Sequence, residues 1–581
     1  MSVKSKMKKP ATDTAPHLIV SARAGTGKST TILLGVVGLC GGDPTLIPAS
    51  VAGKEVKIVP SPQQIAVWES INLSKSHAKS IHLAAFNYFI AEHLSASVKA
   101  FGLPDYVTAS TMHSMGLKAV TSTYGRVEVC KPANKRVETI VERMLPQYAD
   151  IWEIRRKRSG LLPLIVDLVG LCKMNLLNGT PEECYGLVAH HAMNPDQDES
   201  ILSEAISLVG PVLEKCADVE HDRMIDFNDM IWIPIRNRLS VRKYDLFFGD
   251  EVQDWNRCQQ ALAKKAGHRL VLVGDERQAI YGFAGADSES MSRMRKELMG
   301  MYYCGTSDVD NRHIYADGKH CDYCSVRRDT LEGRGCVVLP LTVTRRCGKA
   351  IVEEARKIVP DFEAHDSNGP GNIRRAGLDE ESVFCDQTTG SSTNRTTYHA
   401  ICQDGDMVLC RLNAPLVSEC FKFLKAGRKA TIQGRDVGQG LVSTIKATKA
   451  ETVTDLIHGL GKWVSDATAK EQAKKHPSED RLIAINDRYD CIMAFVDGAQ
   501  SVAEVLRKIE SIFTDSKDSP GIKLSSVHKA KGLEAKRVFI IQTEKARMSH
   551  PMAKTKWQVE QEYNILYVAI TRAIEELVYV S

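Results

Sequence analysis

The segment Ser21-Ala22-Arg23-Ala24-Gly25-Thr26-Gly27-Lys28-Ser29-Thr30 sets two closely spaced glycines beside a lysine and a run of hydroxyl side chains. Placed between a strand and a helix, such a loop can turn its backbone N–H groups inward around a triphosphate. Lys28 then supplies a point charge, and the Ser29 hydroxyl can reach Mg2+. Ala22 stands where the general phosphate-loop pattern has its first glycine. Farther on, Asp250-Glu251-Val252-Gln253-Asp254 follows a short apolar run. Two adjacent carboxylates at a strand's end can divide their work: Asp250 holds Mg2+ directly or through water, and Glu251 orients and deprotonates an attacking water. A third cluster, Gly274-Asp275-Glu276-Arg277-Gln278, ends another apolar run. Gln278 can read a γ-phosphate there, and Tyr281 and Phe283 just beyond it offer faces for base stacking. Alone, an Asp-Glu pair is more often a solvated loop and two aromatics are more often core; the phosphate loop upstream weakens the bland reading.

A separate cluster, Cys304, His313, His320, Cys321 and Cys324, includes one C-x-x-C pair. Cys304, Cys321, Cys324 and one histidine could hold structural Zn2+ in a segment with little apolar content of its own. Unpaired thiols of a reducing compartment are the alternative.

The elements that must position these residues follow from hydropathy. Short apolar runs at His17–Val20, Ile81–Phe86, Tyr244–Phe248, Arg269–Val273, Met407–Cys410, Arg537–Ile541 and Glu576–Val580 alternate with longer helical patterns. That is the rhythm of parallel sheets covered by helices on both faces. The expected fold class is α/β, in two blocks of about 16–300 and 337–581. Residues 121–220 read as an inserted helical unit, with helices at Lys135–Met144, Leu164–Cys172 and Glu204–Cys216; residues 442–520 read as a second, smaller insertion, and 301–336 as an inserted loop. The chain has 581 residues, 76 Lys+Arg and 71 Asp+Glu, a formal net charge of +5, which excludes a strongly basic packaging protein. With 43% hydrophobic and 25% charged residues it is ordinary globular material and not a disordered chain. Met1 to Lys9 is basic without an apolar signal core, and no run of ~18 apolar residues occurs, so the expectation is a cytoplasmic protein.

In that order, the three motifs resemble those of superfamily 1 DNA helicases of the UvrD/Rep type, and further segments extend the resemblance over nearly the whole chain. Phe86-Asn87 with Ala91-Glu92 is similar to motif Ia, and Thr111-Met112-His113-Ser114 to the Thr-Phe-His segment. Asp226-Phe227-Asn228-Asp229 is similar to the Asp-Phe-Asp-Asp element, and Thr344-Arg345-Arg346-Cys347 to Asn-Tyr-Arg-Ser. Ser526 to Glu534 resembles Thr-Ile-His-Ser-Ala-Lys-Gly-Leu-Glu, and Gln561 to Ala573 resembles motif VI. The resemblance implies two RecA-like domains, 1–120 with 221–300 and 337–441 with 521–581. It implies ATP and Mg2+ in the cleft between them. It assigns Arg346 and Arg572 to the γ-phosphate, Glu534 to the ribose, and His528 to coupling with DNA. Phe86, Asn87, Thr111, His113, Tyr281 and Phe283 would line single-stranded DNA. It further implies 3′ to 5′ movement, tailed duplex DNA as substrate, and a monomer when free. The family's tyrosine before the motif IV arginine is Arg345 here, and its motif VI arginine has become Tyr563 or Asn564. Ser61-Pro62-Gln63-Gln64 looks like the glutamine motif that reads adenine, yet it follows the phosphate loop instead of preceding it. Either an inserted loop returns Gln63 or Gln64 to the base, or Pro62 opens an ordinary helix. The rival classes are a motor subunit of a helicase–nuclease complex, since no nuclease motif follows Arg572 before Ser581, and a DNA-dependent ATPase that does not unwind.

Overall fold

The computed structural model describes residues 15–85, 87–130, 135–144, 151–190, 199–280, 289–299, 335–378, 397–472, 479–514, 521–542 and 556–581. The fold is α/β, built on two RecA-like parallel sheets. In the first, the strands run in the order Cys336–Leu341, His17–Ala22, Gly267–Gly274, Tyr244–Gly249, Ile81–Ala85 and Val107–Thr111, every neighbouring pair parallel. The second runs Asn372–Ala376, Ala573–Val580, Ala535–Ile541, Met407–Cys410, Ile522–Ser526, Ala430–Gln433 and Phe513–Thr514, again all parallel. Parallel strands covered on both faces are apolar throughout. Leu270, Val271, Leu272 and Val273 are accordingly all buried, as are Val408, Leu409 and Cys410.

Helices fill the intervals where the 3.6-residue period predicted them. Lys135–Met144 forms as expected, burying Arg136, Val137, Ile140 and Val141 along one stripe. The patterns at Leu164–Cys172 and Glu204–Cys216 lie inside the longer helices Ile151–Asn175 and Glu199–Ala217. These helices share one apolar core with the first sheet, which includes Val169, Val209, Trp232 and Leu272. Between the strands Ala430–Gln433 and Phe513–Thr514 stand four helices, Arg435–Thr448, Val453–Gln472, Glu479–Val496 and Val502–Ile512. They pack on the core of the second sheet through Leu456, Leu460, Ile492 and Val505. Among the described residues no helix is long and apolar enough to cross a membrane.

One boundary differs from the sequence expectation. The second block was drawn from residue 337, but Cys336–Leu341 pairs with His17–Ala22 at the edge of the first sheet. Val343–Thr344 already pairs with Glu363–Ala364 on the other side. The chain therefore passes between the two units at Thr342. The inserted loop with Cys304, His313, His320, Cys321 and Cys324, and the aromatics Phe86, Tyr281 and Phe283, lie outside the described residues.

Candidate functional site

The phosphate loop leaves the strand His17–Ala22 and enters the helix Lys28–Leu39 at its N-terminus. Gly25 and Gly27 take φ of 68° and 76°, a left-handed conformation that side chains other than glycine and asparagine resist. The turn they make brings the free N–H groups of the helix to bear on one point. Lys28 lies in that turn with its Nζ 3.1 Å from Glu251 Oε2. Burial alone would lower the Lys28 ammonium, but Glu251, Asp275 and Asp250 outweigh it and hold the group above the ordinary lysine value. Ser29 Oγ donates directly to Asp250 Oδ2, so the two predicted Mg2+ ligands converge. The oxygens and ammonium present fit a triphosphate with a divalent ion.

The acidic motif follows Tyr244–Gly249 at its carboxyl end. Glu251 sits at φ 51°, a rare conformation for a residue with a side chain, of the kind held only where surrounding structure over-determines it. The strain aims its carboxylate back at Lys28. Burial and then the neighbouring Glu251 push the Asp250 carboxyl up to about 6. Burial would raise Glu251 as well, but Lys28 and Lys531 overcome it and hold the carboxyl down at about 2. Glu251 therefore stays ionised and able to accept a proton. Gln253 joins this motif to the next: its Nε2 donates to Glu251 Oε2 at 2.5 Å, and its Oε1 accepts from the Asp275 N–H at 3.0 Å. Gln278 in turn donates from Nε2 to Asp275 Oδ2 at 2.7 Å. Gln253 thus ties the Glu251 carboxylate to the backbone of Asp275, whose own carboxylate holds Gln278.

The second unit closes on this face. Gly25 lies so near it that a Cβ there would stand 2.5 Å from Thr344 Oγ1 and 2.6 Å from Arg346 Cβ. The Arg345 N–H donates to Gly25 O at 3.0 Å, and the Ala24 N–H donates to Tyr567 Oη at 3.0 Å. Lys531 Nζ reaches Asp254 Oδ2 at 2.6 Å and Gln278 O at 2.8 Å. Arg346 pairs with Glu534, Nε to Oε2 at 2.6 Å, which brings the predicted phosphate and ribose ligands together. Arg572 is 2% exposed. Its guanidinium donates to Val568 O, Leu533 O and Thr571 Oγ1 at 2.9, 3.1 and 3.3 Å. No carboxylate pairs with it among the described residues. Burial, and then the neighbouring Arg346, lower it to about 10. Glu534, held by Arg346, only partly offsets this; a buried cation without a directly paired carboxylate is costly, and it lies beside the side chain that abuts the phosphate loop.

The glutamine segment opens the helix Pro62–Asn72. Ser61 and Gln64 form a capping box, with Ser61 Oγ accepting from the Gln64 N–H and Gln64 Oε1 accepting from the Ser61 N–H. Gln64 Nε2 also donates to Thr31 Oγ1 at 3.1 Å, and Trp68 Nε1 to Thr31 O at 2.9 Å, fastening this helix to the phosphate-loop helix. Gln63 spends its amide on Thr342: Nε2 donates to Oγ1 and Oε1 accepts from the backbone N–H, both at 2.8 Å.

Of the predicted DNA residues, Asn87 Oδ1 caps the helix Tyr88–Ala100 and Thr111 Oγ1 caps Met112–Tyr124. His113 stacks on Phe227 with ring centroids 3.8 Å apart, and burial lowers it to about 4. Phe227 remains half exposed although it belongs to a segment whose flanking carboxylates are buried: Asp226 binds Lys173 at 2.6 Å, and Asp229 binds Arg136 at 2.7 Å. His528 is deeply buried, and that burial, with Arg411 and Lys531 nearby, lowers it to about 3. Sequence reasoning did not single out Gln253, Asp275, Lys531, Tyr567 or Asp361 as site residues. Gln253 could have been found from its place two residues after Glu251, and Asp275, Lys531 and Tyr567 from the motif segments that contain them; Asp361 is joined to the site only by the fold.

Two family models match the chain: the UvrD/REP helicase N-terminal domain over residues 66–299 and the UvrD-like helicase C-terminal domain over 402–581. The chain is 23% identical over 352 residues to F-box DNA helicase protein 1 of Schizosaccharomyces pombe, covering 58% of this chain and 34% of that protein. It is 21% identical over 450 residues to the ATP-dependent DNA helicase PcrA of Staphylococcus epidermidis, and 20% identical to that of Staphylococcus aureus. Both matches cover 62% of this chain and 59% of the relative. The chain thus spans between a third and three fifths of the length of these relatives.

Proposed function

We propose that this chain, which belongs to the UvrD/Rep-type superfamily 1 helicases, is an ATP-driven translocase that moves 3′ to 5′ along single-stranded DNA and separates duplex strands. The observation that carries the reading is Arg572: a buried guanidinium that no carboxylate pairs directly among the described residues, next to an arginine packed on the phosphate loop. Such a charge makes physical sense where an anion arrives from the other side of the cleft.

Residues Ala22 to Thr30 would hold the triphosphate, Ser29 and Asp250 the Mg2+, and Glu534 the ribose. Bound ATP·Mg2+ supplies the anhydride that is cleaved and the ion that polarises it. Glu251, kept ionised by Lys28 and Lys531, accepts the proton of the attacking water. Gln278, fixed by Asp275, orients that water. Arg346 and Arg572 meet the charge spreading over the transferring group, a contribution of about 10³–10⁵ in rate for arginines delivered across an interface. To meet phosphate, Arg346 has to leave Glu534, which frees that carboxylate for the ribose. Lys531 and Gln253 carry the state of the nucleotide between the two sheets. DNA would lie along both units, held by its phosphates and by stacking, without sequence readout.

The test is ATP hydrolysis by the purified full chain with and without single-stranded DNA, alongside strand displacement on 3′-tailed and 5′-tailed duplexes. Stimulation by DNA, loss of hydrolysis in Lys28→Ala, and displacement of the 3′-tailed substrate alone are expected. Equal hydrolysis with and without DNA overturns the translocase reading.

A further inference from the structure

We propose that Asp361 is a positioning residue for the phosphate loop: it draws the Arg23 side chain across the cleft while the two units are closed, and so sets how long nucleotide is retained. The proposal rests on the cleft being an ATP site. Arg23 forks onto Asp361, with Nε to Oδ1 at 2.9 Å and NH2 to Oδ2 at 2.7 Å. Its remaining nitrogen, NH1, donates to Ala22 O at 2.9 Å and stands 3.7 Å from Asp275 Oδ1. Arg23 is thus suspended between a carboxylate of the opposite unit and one of its own.

The other grips on this loop are of a different kind. Tyr567 and Arg345 bind the backbone of residues 24 and 25, contacts that any side chain at position 23 would permit. The fork to Asp361 is the contact that depends on the residue, and a two-point guanidinium–carboxylate pair fixes both distance and orientation. When the cleft opens, Asp361 recedes with its unit, and the nearest carboxylate left to Arg23 is Asp275. The other oxygen of Asp275 holds Gln278. Arg23 therefore changes partner with cleft state, and the exchange reaches the residue that orients water.

Asp361 is half exposed and touches no predicted nucleotide ligand but Arg23, so Asp361→Asn removes the charge while keeping size and fold. The experiment is stopped-flow release of a fluorescent ADP analogue from the full chain on single-stranded DNA, together with steady-state ATP hydrolysis. For Asp361→Asn, release is expected to quicken about fivefold, the scale of ~1 kcal/mol for a partly exposed pair, with KM for ATP raised and kcat not reduced. Asp361→Glu, which restores a carboxylate, is expected to keep slow release. Wild-type release should quicken between about 50 and about 500 mM salt, and that of Asp361→Asn should respond less. Wild-type release rate and salt response in Asp361→Asn, or release from Asp361→Glu as fast as from Asp361→Asn, overturns the role of Asp361 and leaves the ATP reading intact. A wild-type chain that neither binds the ADP analogue nor hydrolyses ATP overturns both.

Discussion

Replacing Arg572 by methionine separates what the fold needs from what the chemistry needs. The guanidinium is fully enclosed and makes three hydrogen bonds to protein acceptors, each within 3.3 Å. Losing those bonds costs about 1–3 kcal/mol apiece if the acceptors find no other donor. Against this stands the expense of keeping the cation there at all. Burial, and then Arg346, lower it to about 10, a cost on the order of 3 kcal/mol against the charged form. Methionine nearly matches the volume, and exchanging a buried charge for an apolar side chain of similar size is often neutral or stabilising by about 1–4 kcal/mol. The two effects are comparable, so the nucleotide-free Arg572→Met protein should unfold in urea within ~2 kcal/mol of wild type. DNA-stimulated ATP hydrolysis should fall by about 10³-fold or more, because a transition-state partner is gone. A structural ion pair would behave in the opposite way, with stability collapsing and activity lost only in proportion. Retention of a tenth of kcat, or a destabilisation well beyond ~3 kcal/mol, refutes the assignment.

Gly25→Ala should cripple hydrolysis, because at φ 68° its Cβ would strike Thr344 and Arg346 and hold the two units apart; unaltered kcat at saturating ATP would count against a closed working state. Glu251→Gln should still bind an ATP analogue but lose about 10²–10⁴ in turnover, and hydrolysis within tenfold of wild type removes Glu251 as the base. His82, His113 and His528 are held neutral by burial, down to about 3, 4 and 3. The unfolded chain protonates them near pH 6.5, so these histidines make stability rise with pH between about 4 and 6.5, each costing ~2 kcal/mol at pH 5, against the opposite slope of Asp250 and Asp254, raised to about 6. Urea midpoints across that range for wild type and His82→Gln test this: the variant should gain stability relative to wild type as pH falls from 7 to 5, and a constant difference between the two contradicts it.

What was legible in the chain was what is local. The phosphate loop, Asp250-Glu251 and Gln278 each follow a buried parallel strand, and such strands announce themselves by uninterrupted apolar runs. Helices with a clean apolar stripe, such as Lys135–Met144, were equally plain. Partnership across the fold was not. Lys531 meets Asp254 at a separation of 277 residues; their motifs place both at one cleft, but not that these two side chains pair. The strand Cys336–Leu341 has the right composition for a strand but carries no sign of which sheet receives it, which is why the boundary fell on its wrong side. Asn87 and Thr111 looked like ligands because their motifs do; in the fold their side chains also end strands and start helices, work that any N-cap performs.

The passage of the chain at Thr342 has a mechanical meaning. Leu341 ends a strand of the first sheet and Val343 begins a separate two-stranded ribbon with Glu363–Ala364, so Thr342 is the one residue between them and its backbone torsions bear on how one unit turns against the other. Gln63 grips that residue at two points, by amide and by hydroxyl, from a helix riveted to the phosphate loop. Residues 61–64 thus tie the phosphate-loop helix to the point where the chain crosses between the two units. Any ligand that competes for the Gln63 amide would release Thr342 as it docks, so binding there and freedom of swing would be coupled through one side chain.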